Sequence, residues 1–395
     1  MRLLVIPPPV QPEVYPEPEG CPYADCGSRH VQFRQAVRKP LRDPYVHEVV
    51  AHRYACPRCG RTFRLYPVGV RHDQTSARLK GLAVLYYVLG MSYGAVAIAL
   101  EALGAPLSKV AVYNAVQAAG ARVAGLRREA VHRGGGRVAG LGVDLTSVRC
   151  RGEWLTVGVS VDAVHGLALT VDLLPTGDAA TLTAWVQDLA AAIGAEVLVS
   201  DDADGFKTAA DESGLLQQVC KSHVLRNTEA WVETITPLLE ADNDGSLAMI
   251  GVAPEQALVD CQELLRLMSE RQPTPAASAI LAAIHHRYLA APPPKKGEEA
   301  TLAYRLRLFS LDRWSLGDRL TRYRSWEGPD GETLDGTNNA CERARGALWA
   351  GWVKERYRSM RGYKRPASVL HVSRLIAAMG NALAGPRFAL AEVIA

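Results

Sequence analysis

Apolar and polar positions change their rhythm several times along this chain, and each change marks a different kind of element. Between the first cysteines and residue 55, "VQFRQAVRKPL" and "YVHEVVAHRYA" alternate as the strands of a small sheet do. From about 75 to 128 the spacing becomes helical. "TSARLKGLAVLYYVLG", "SYGAVAIALEALG" and "SKVAVYNAVQAAGARVAGLRR" carry apolar residues at helix period, with glycine at their ends and serine at two starts. Past Arg137 the pattern returns to strands at 138–149, 154–162 and 167–174, then a helix at 179–193, a strand at 196–200, a helix from Gly205 and a strand near 217–220. Residues 224–336 read as largely helical, broken at "PTPAAS" and at a loop near 292–299.

A chain of 395 residues exceeds one ordinary core, so two to four domains are expected. Apolar content of 48% with 22% charged residues describes a globular chain and excludes a disordered one. The uncharged run Gly81–Leu100 is long enough to cross a bilayer, but Gly90, Ser92 and Gly94 interrupt it, and it reads more naturally as two packed helices joined by a turn. No export signal is visible, so the expected compartment is the cytoplasm, without a membrane partner. The net charge of +4 says little by itself; its distribution says more. Nine lysines and arginines lie between Arg343 and Arg374 against the single acid Glu355, which is more one-sided than a solvated helix face.

Cys21-x4-Cys26 and Cys56-x2-Cys59, 29 residues apart, have the spacing of two zinc knuckles, with Gly60 after the second. Residues 1–70 are therefore expected to form a zinc ribbon with an N-terminal tail, its structural Zn²⁺ contributing folding energy rather than catalysis. Disulfide or unliganded cysteines are the competing readings, the first disfavoured in a reducing compartment. His30, His47 and His52 are expected at the surface, and Cys150, Cys261 and Cys341 as buried hydrophobes.

The three helices of residues 71–130 predict a helix-turn-helix DNA-binding domain. Its third helix, starting at Ser108, would present Lys109, Tyr113, Asn114 and Gln117 to a groove. A plain trihelical packing unit is the alternative. In the later segment "RLRLFSLDRWSLGDRLTRYRSW", a phosphate-binding face and an ordinary amphipathic helix are equally good readings.

Two acids follow apolar strand runs, Asp144 in "GLGVDLTSVRC" and Asp201 in "AEVLVSDDADGFK", and a third, Glu342, sits on an expected helix in "DGTNNACERARGALW". Carboxylate oxygens suit Mg²⁺ or Mn²⁺, and two such ions about 3.5–4 Å apart can hold both the attacking and the leaving oxygen of a phosphodiester displacement. Asp201 is preferred over Asp202 and Asp204 because it comes first after the strand; its neighbours would cap the next helix. Asp162 reads as the boundary of a hairpin. Three antiparallel strands, helix, strand, helix, strand is the order of an RNase H-like core, in which the strands of Asp144 and Asp201 are neighbours. In the first strand Val143 and Leu145 face one side and Asp144 and Thr146 the other. The expected class is thus α/β: an RNase H-like mixed sheet core (137–223) with an all-α insertion (224–336), completed by a C-terminal helical part (337–395), and preceded by the ribbon and the helix-turn-helix. Arg343, Arg345, Lys354 and Arg356 beyond Glu342 would neutralise phosphates, giving salt-sensitive affinity.

The blocks "VDLTSV", "VLVSDDADGFKTAA", "CKSHVLRN" and "TNNACERARGALW" with "KERYRSMRGYKR" resemble the DDE transposases of bacterial insertion sequences, including the Mutator-like group, over most of the chain. The resemblance implies that Asp144, Asp201 and Glu342 bind the metals. It also implies that Cys220-x2-His223 follows the strand after the second Asp, as an accessory element that positions or contacts DNA or simply packs. The implied protein binds transposon ends in double-stranded DNA as a homo-oligomer in the nucleoid, hydrolyses a strand and uses the freed 3′ hydroxyl to attack target DNA. A domesticated or inactive DNA-binding regulator, and a nuclease that only hydrolyses, are the competing readings.

Overall fold

The computed structural model describes residues 4–133, 137–150, 153–241, 244–269, 274–348, 366–383 and 387–389. The chain is mixed α/β, and it divides into two compact units: residues 1–129, 148–155 and 346–395 form one, residues 130–147 and 156–345 the other.

The first unit begins with β1 (Leu4–Ile6), then an antiparallel sheet of β2 (Gln32–Pro40), β3 (Glu48–Ala55) and β4 (Thr62–Leu65) in the order β2-β3-β4. Its helices are α1 (Ala77–Val88), α2 (Tyr93–Ala102) and α3 (Lys109–Arg133). Ser76, Ser92 and Ser108 each accept a hydrogen bond from a backbone amide three residues on, satisfying donors that a helix start leaves unpaired. The uncharged run of 81–100 is two helices: α1 ends before Gly90, whose φ of 107° turns the chain, and α2 begins at Tyr93. Among the described residues no helix is long and apolar enough to cross a membrane.

The second unit is built on a five-stranded sheet of β5 (Gly140–Cys150), β6 (Glu153–Asp162), β7 (Ala168–Leu174), β8 (Val197–Ser200) and β9 (Leu216–Val219), in the order β7-β6-β5-β8-β9. β6 pairs antiparallel with β7, whereas β8 runs parallel to both β5 and β9. All four residues of β8 are buried, as befits a strand covered on both faces. On one face Leu141, Val143 and Leu198 pack against α4 (Ala179–Ile193) and α5 (Asp204–Glu212) through Leu182, Trp185, Val186 and Phe206. On the other, Val197 and Val199 meet Trp326 and Leu334.

The helical segment that follows comprises α6 (Lys221–Ala241), α7 (Ser246–Met249), α8 (Pro254–Ser269), α9 (Thr274–Tyr288), α10 (Leu302–Ser315) and α11 (Asp318–Thr321). It has its own core, including Leu239, Leu247, Leu264, Tyr288 and Leu306, each no more than 1% exposed. At roughly 1.5–3 kcal/mol per fully buried large apolar side chain, such a cluster contributes much of what holds the segment together, and Val219 of β9 joins it to the sheet. One acid lies inside it: Asp260 is 2% exposed, and Tyr288 Oη at 2.7 Å, Arg287 Nε at 2.9 Å and Gln256 Nε2 at 3.0 Å offset the cost of burying its charge. The chain then returns to the sheet as α12 (Asn339–Leu348).

Within the first unit, the final described elements are α13 (Pro366–Leu383) and β10 (Arg387–Ala389), the latter parallel to β1. α13 lies close across α3. A side chain at Gly120 would come within 2.2 Å of the His371 carbonyl oxygen, so only glycine permits this approach.

Candidate functional site

Two constellations hold the chemistry that the sequence singles out, one in each unit. The first is the cysteine ribbon. Cys21 Sγ lies 3.7 Å from Cys59 Sγ and Cys26 Sγ lies 3.6 Å from Cys56 Sγ, and all four sulfurs fall within 4.8 Å of one another. Each pair sits on a tight turn closed by backbone hydrogen bonds, Cys26 N to Tyr23 O in one and Gly60 N to Cys56 O in the other. Gly27 and Gly60 follow the knuckles at φ of 61° and 70°, a left-handed conformation that glycine adopts without steric cost. The Arg61 guanidinium donates to Cys59 Sγ at 3.5 Å and is the main cause holding that thiol down at about 6. Four thiols converging from two turns are a donor set compatible with one tetrahedral structural zinc. His30 and His47 are exposed; His52 is half-buried and stacks on Tyr15 at 3.9 Å between ring centroids.

The second constellation assembles around the β5–β8 pair. Their register pairs Gly140 with Val197 and Gly142 with Val199; extended by two residues, it sets Asp144 beside Asp201. Parallel neighbours lie about 4.8 Å apart. The period of two puts Gly140, Gly142 and Asp144 on one face, opposite Leu141, Val143 and Leu145. On that face the glycines admit close neighbours: a side chain at Gly142 would stand 3.3 Å from Cys341 Sγ and 3.4 Å from Asn338 Oδ1. Asp144 lies on the face opposite Val143 and Leu145 and is buried there too, at 7% exposure, because the start of α12 covers that face of the sheet.

Asn338 fastens that start. Its Nδ2 donates to Val143 O at 2.8 Å and its backbone amide to Cys220 Sγ at 3.1 Å, while Lys221 N donates to Gly336 O at 3.0 Å. One turn on, Glu342 N donates to Asn338 O. Helix spacing then presents residues 338, 341, 342 and 345 toward the sheet. Cys341 fills the inner position at 0% exposure, and burial pushes its thiol well above the ordinary range, so it serves as a hydrophobe, as do the buried Cys150 and Cys261.

Each acid has a partner. Arg345 Nη1 lies 3.1 Å from Asp144 Oδ2. His223 Nε2 lies 3.2 Å and Arg226 Nη2 3.8 Å from Glu342 Oε1, and Asp201 Oδ1 accepts from Ala203 N at 3.1 Å. Burial nonetheless raises the Asp144 carboxyl above its usual value; Arg345 opposes the rise and Asp201 adds to it. Asp201 is raised as well, chiefly by burial, against the Ala203 amide and with help from Asp202. Two desolvated carboxylates side by side are a donor set that a cation would relieve. Among the described residues, however, only the four cysteines bring three or more candidate ligand atoms within 4.8 Å of one another; the three acids do not.

The other acids have separate work. Asp202 bonds Asn227 Nδ2 at 3.2 Å and faces the buried Arg313 Nη1 at 3.4 Å, tying the sheet end to α10. It does not cap α5, contrary to expectation; Asp204, in the first turn of that helix, pairs with Lys207 at 3.1 Å. Asp162 accepts from the amides of Val164 and His165 and pairs with His165 Nδ1 at 2.7 Å, closing the β6–β7 hairpin.

The expected groove face of α3 is divided. Lys109 and Asn114 are exposed, but Tyr113 Oη bonds Ser368 Oγ at 3.1 Å and Gln117 Oε1 faces His371 Nδ1 at 3.3 Å, so these two side chains pack on α13 rather than on an open groove. Arg343 is exposed, and Arg345 is spent on Asp144. Lys354 and Arg356 lie outside the described residues. Sequence reasoning missed Asn338; its one signal was an Asn just ahead of a helix, a common capping type. No protein-family model matches the chain, and no curated protein matches it.

Proposed function

We propose that this protein is a DNA transposase of the DDE type, with an RNase H-like core in which Asp144, Asp201 and Glu342 hold Mg²⁺ or Mn²⁺. The carrying observation is the meeting of the buried Asp144 on β5 with the half-buried Asp201 just past the end of the parallel β8, and with a helix, latched by Asn338, that brings Glu342 to the same face. Such ions activate the attacking oxygen and stabilise the leaving one. The chain's own residues bring the acids together and orient them: His223 holds Glu342, Arg345 holds Asp144, and Arg226 and the exposed Arg343 add positive charge for phosphates. A metal held by Asp144 would compete with Arg345 for the charge of this carboxylate. On this reading the protein binds transposon ends as a homo-oligomer in the nucleoid, cuts a strand and joins the 3′ hydroxyl to target DNA.

The arginine partners of Asp144 and Glu342 favour one alternative, a transposase-derived regulator that binds DNA and has its carboxylates held in ion pairs. One experiment separates the two. Purified protein is incubated with Mg²⁺ or Mn²⁺ and a labelled duplex carrying the DNA that borders its gene, beside Glu342→Gln. Metal-dependent nicking at the element boundary, lost in the variant, is the expected result. Binding without cleavage, identical in both proteins, would sink the enzyme reading and leave the regulator.

A further inference from the structure

The ribbon sheet gathers aromatic side chains on one of its faces. The register of β2, β3 and β4 sets Phe33 opposite Tyr54 and Tyr54 opposite Phe63, so these three side chains stand in a row across the strands on the same face. Neighbouring ring centroids in that row are 5.8 Å apart in both pairs. His52, two residues before Tyr54 and therefore on its face, lies edge-on to Phe33 at 5.5 Å and stacks on Tyr15. The row reaches the surface: Phe33 is 54% exposed, and Tyr54, Phe63 and His52 are half-buried.

The charge around this row is one-sided. Residues 21–66 hold nine lysines and arginines against three acids, Asp25, Asp43 and Glu48. Each acid already faces an arginine, namely Arg61, Arg78 and Arg38 in turn. A zinc held by four thiolates adds two negative charges, and the ribbon stays net positive. Arg34, the extra residue at the β2 bulge directly after Phe33, is exposed, and among the described residues it is paired with no acid. Surface rings and unspent cations together select the ligand. A duplex keeps the faces of its bases stacked on each other and offers phosphates and base edges, from which a ring face gains little. An unpaired strand offers phosphates and open base faces at once.

We propose that this face of the ribbon holds single-stranded DNA, its bases stacking on the row of Phe33, Tyr54 and Phe63 and its backbone meeting Arg34. The proposal deepens the DNA-binding part of the proposed function and rests on it, but it requires no cleavage.

The test measures binding of the full chain to a fluorescent oligothymidylate and to a duplex of the same length, without divalent metal, over a series of salt concentrations. Phe33→Ala should weaken single-strand binding by roughly tenfold, the loss of one stacked base, and leave the slope of log affinity against log salt unchanged. Phe33→Trp keeps a stacking ring and should bind as wild type does. Arg34→Ala should lower the slope by about 0.7, the share of one single-strand phosphate contact. An unchanged melting temperature shows that the fold survives; if Phe33→Ala melts lower, Phe33→Leu, apolar but without a π face, is measured in its place. If the wild type binds the single strand and neither Phe33 variant weakens it, the aromatic row is not the site, and DNA binding stands. Binding to the duplex alone, equal in wild type and variant, overturns the proposal in the same way. If the wild type binds neither DNA, the proposal and the DNA-binding reading fail together. If Phe33→Ala turns a dimer into a monomer in light scattering while single-strand affinity is kept, the row is a contact between copies of the chain and the proposal is wrong.

Discussion

The cysteine ribbon and the carboxylate cluster are both candidate metal centres, yet they are prepared in opposite ways. In the ribbon all four sulfurs already converge within 4.8 Å, on turns made by residues next to them in sequence. In the carboxylate cluster, three acids from β5, the end of β8 and α12 meet on one face but do not close on a common point, and each is engaged by an arginine or an amide. A site made by local turns forms as soon as its strands do. A site assembled from three distant elements depends on every latch between them, and its charges must be managed while they wait.

The largest expected effect is on the ribbon. Removing zinc with a chelator, or replacing Cys56 with alanine, should take bound zinc from about one ion per chain to near zero, read by metal analysis, with loss of amide protection across β2, β3 and β4. Structural zinc supplies on the order of 10 kcal/mol in small zinc modules, far more than the thin core of this sheet can replace. Full zinc retention by Cys56→Ala would contradict the four-thiolate reading.

Next is the latch. Asn338→Ala removes the bond to Val143 O and empties a buried polar position, at an expected cost of about 1–3 kcal/mol. For a unit of this size that is a fall of roughly 3–10 °C in melting temperature, which differential scanning calorimetry resolves. A fall confined to the ribbon transition would show that Asn338 does not hold the sheet and α12 together.

Breaking the ion pair should cost less. Arg345→Gln deprives Asp144 of its counter-charge, but Arg345 is 41% exposed, so screening limits the loss to about 1 kcal/mol. The same variant should raise the Asp144 carboxyl further, visible as an upfield-to-downfield titration step at higher pH in the Asp carboxyl carbon resonance. No change in that titration would mean that the pair seen at 3.1 Å has no electrostatic weight.

The smallest effect concerns pH. Burial raises Asp201 in the folded chain, so the folded state holds this proton more tightly than the unfolded state. The resulting stability is complete below the ordinary Asp value of about 4 and is lost as pH rises through the folded value. Asp201→Asn, which stays neutral, should therefore melt roughly 2 °C above wild type at pH 7, with the advantage gone near pH 3.5. An equal melting temperature at pH 7 would mean that Asp201 carries no desolvation cost.

Much of this was legible in the residues. The cysteine spacing marked the ribbon because its geometry is local, and the shift from alternating to helical rhythm located β5 to β9 and α1 to α3 within a few residues. Strand order also put Asp144 beside Asp201. The pairing of Arg345 with Asp144 was not legible: a basic residue three positions after Glu342 looks the same in sequence whether it meets phosphate or carboxylate. Nor was the covering of Tyr113 and Gln117, since nothing within α3 announces that Ser368 and His371 will come against it.

The sequence by itself determined the elements and the donors: alternation and helix period follow from the backbone's own geometry, and thiols or carboxylates keep their chemistry wherever they lie. Only the tertiary structure decided which donors stand ready and which are held. Burial, counter-charge and the facing of one helix by another are contacts between residues far apart in the chain, and their energies exist only once the chain has folded.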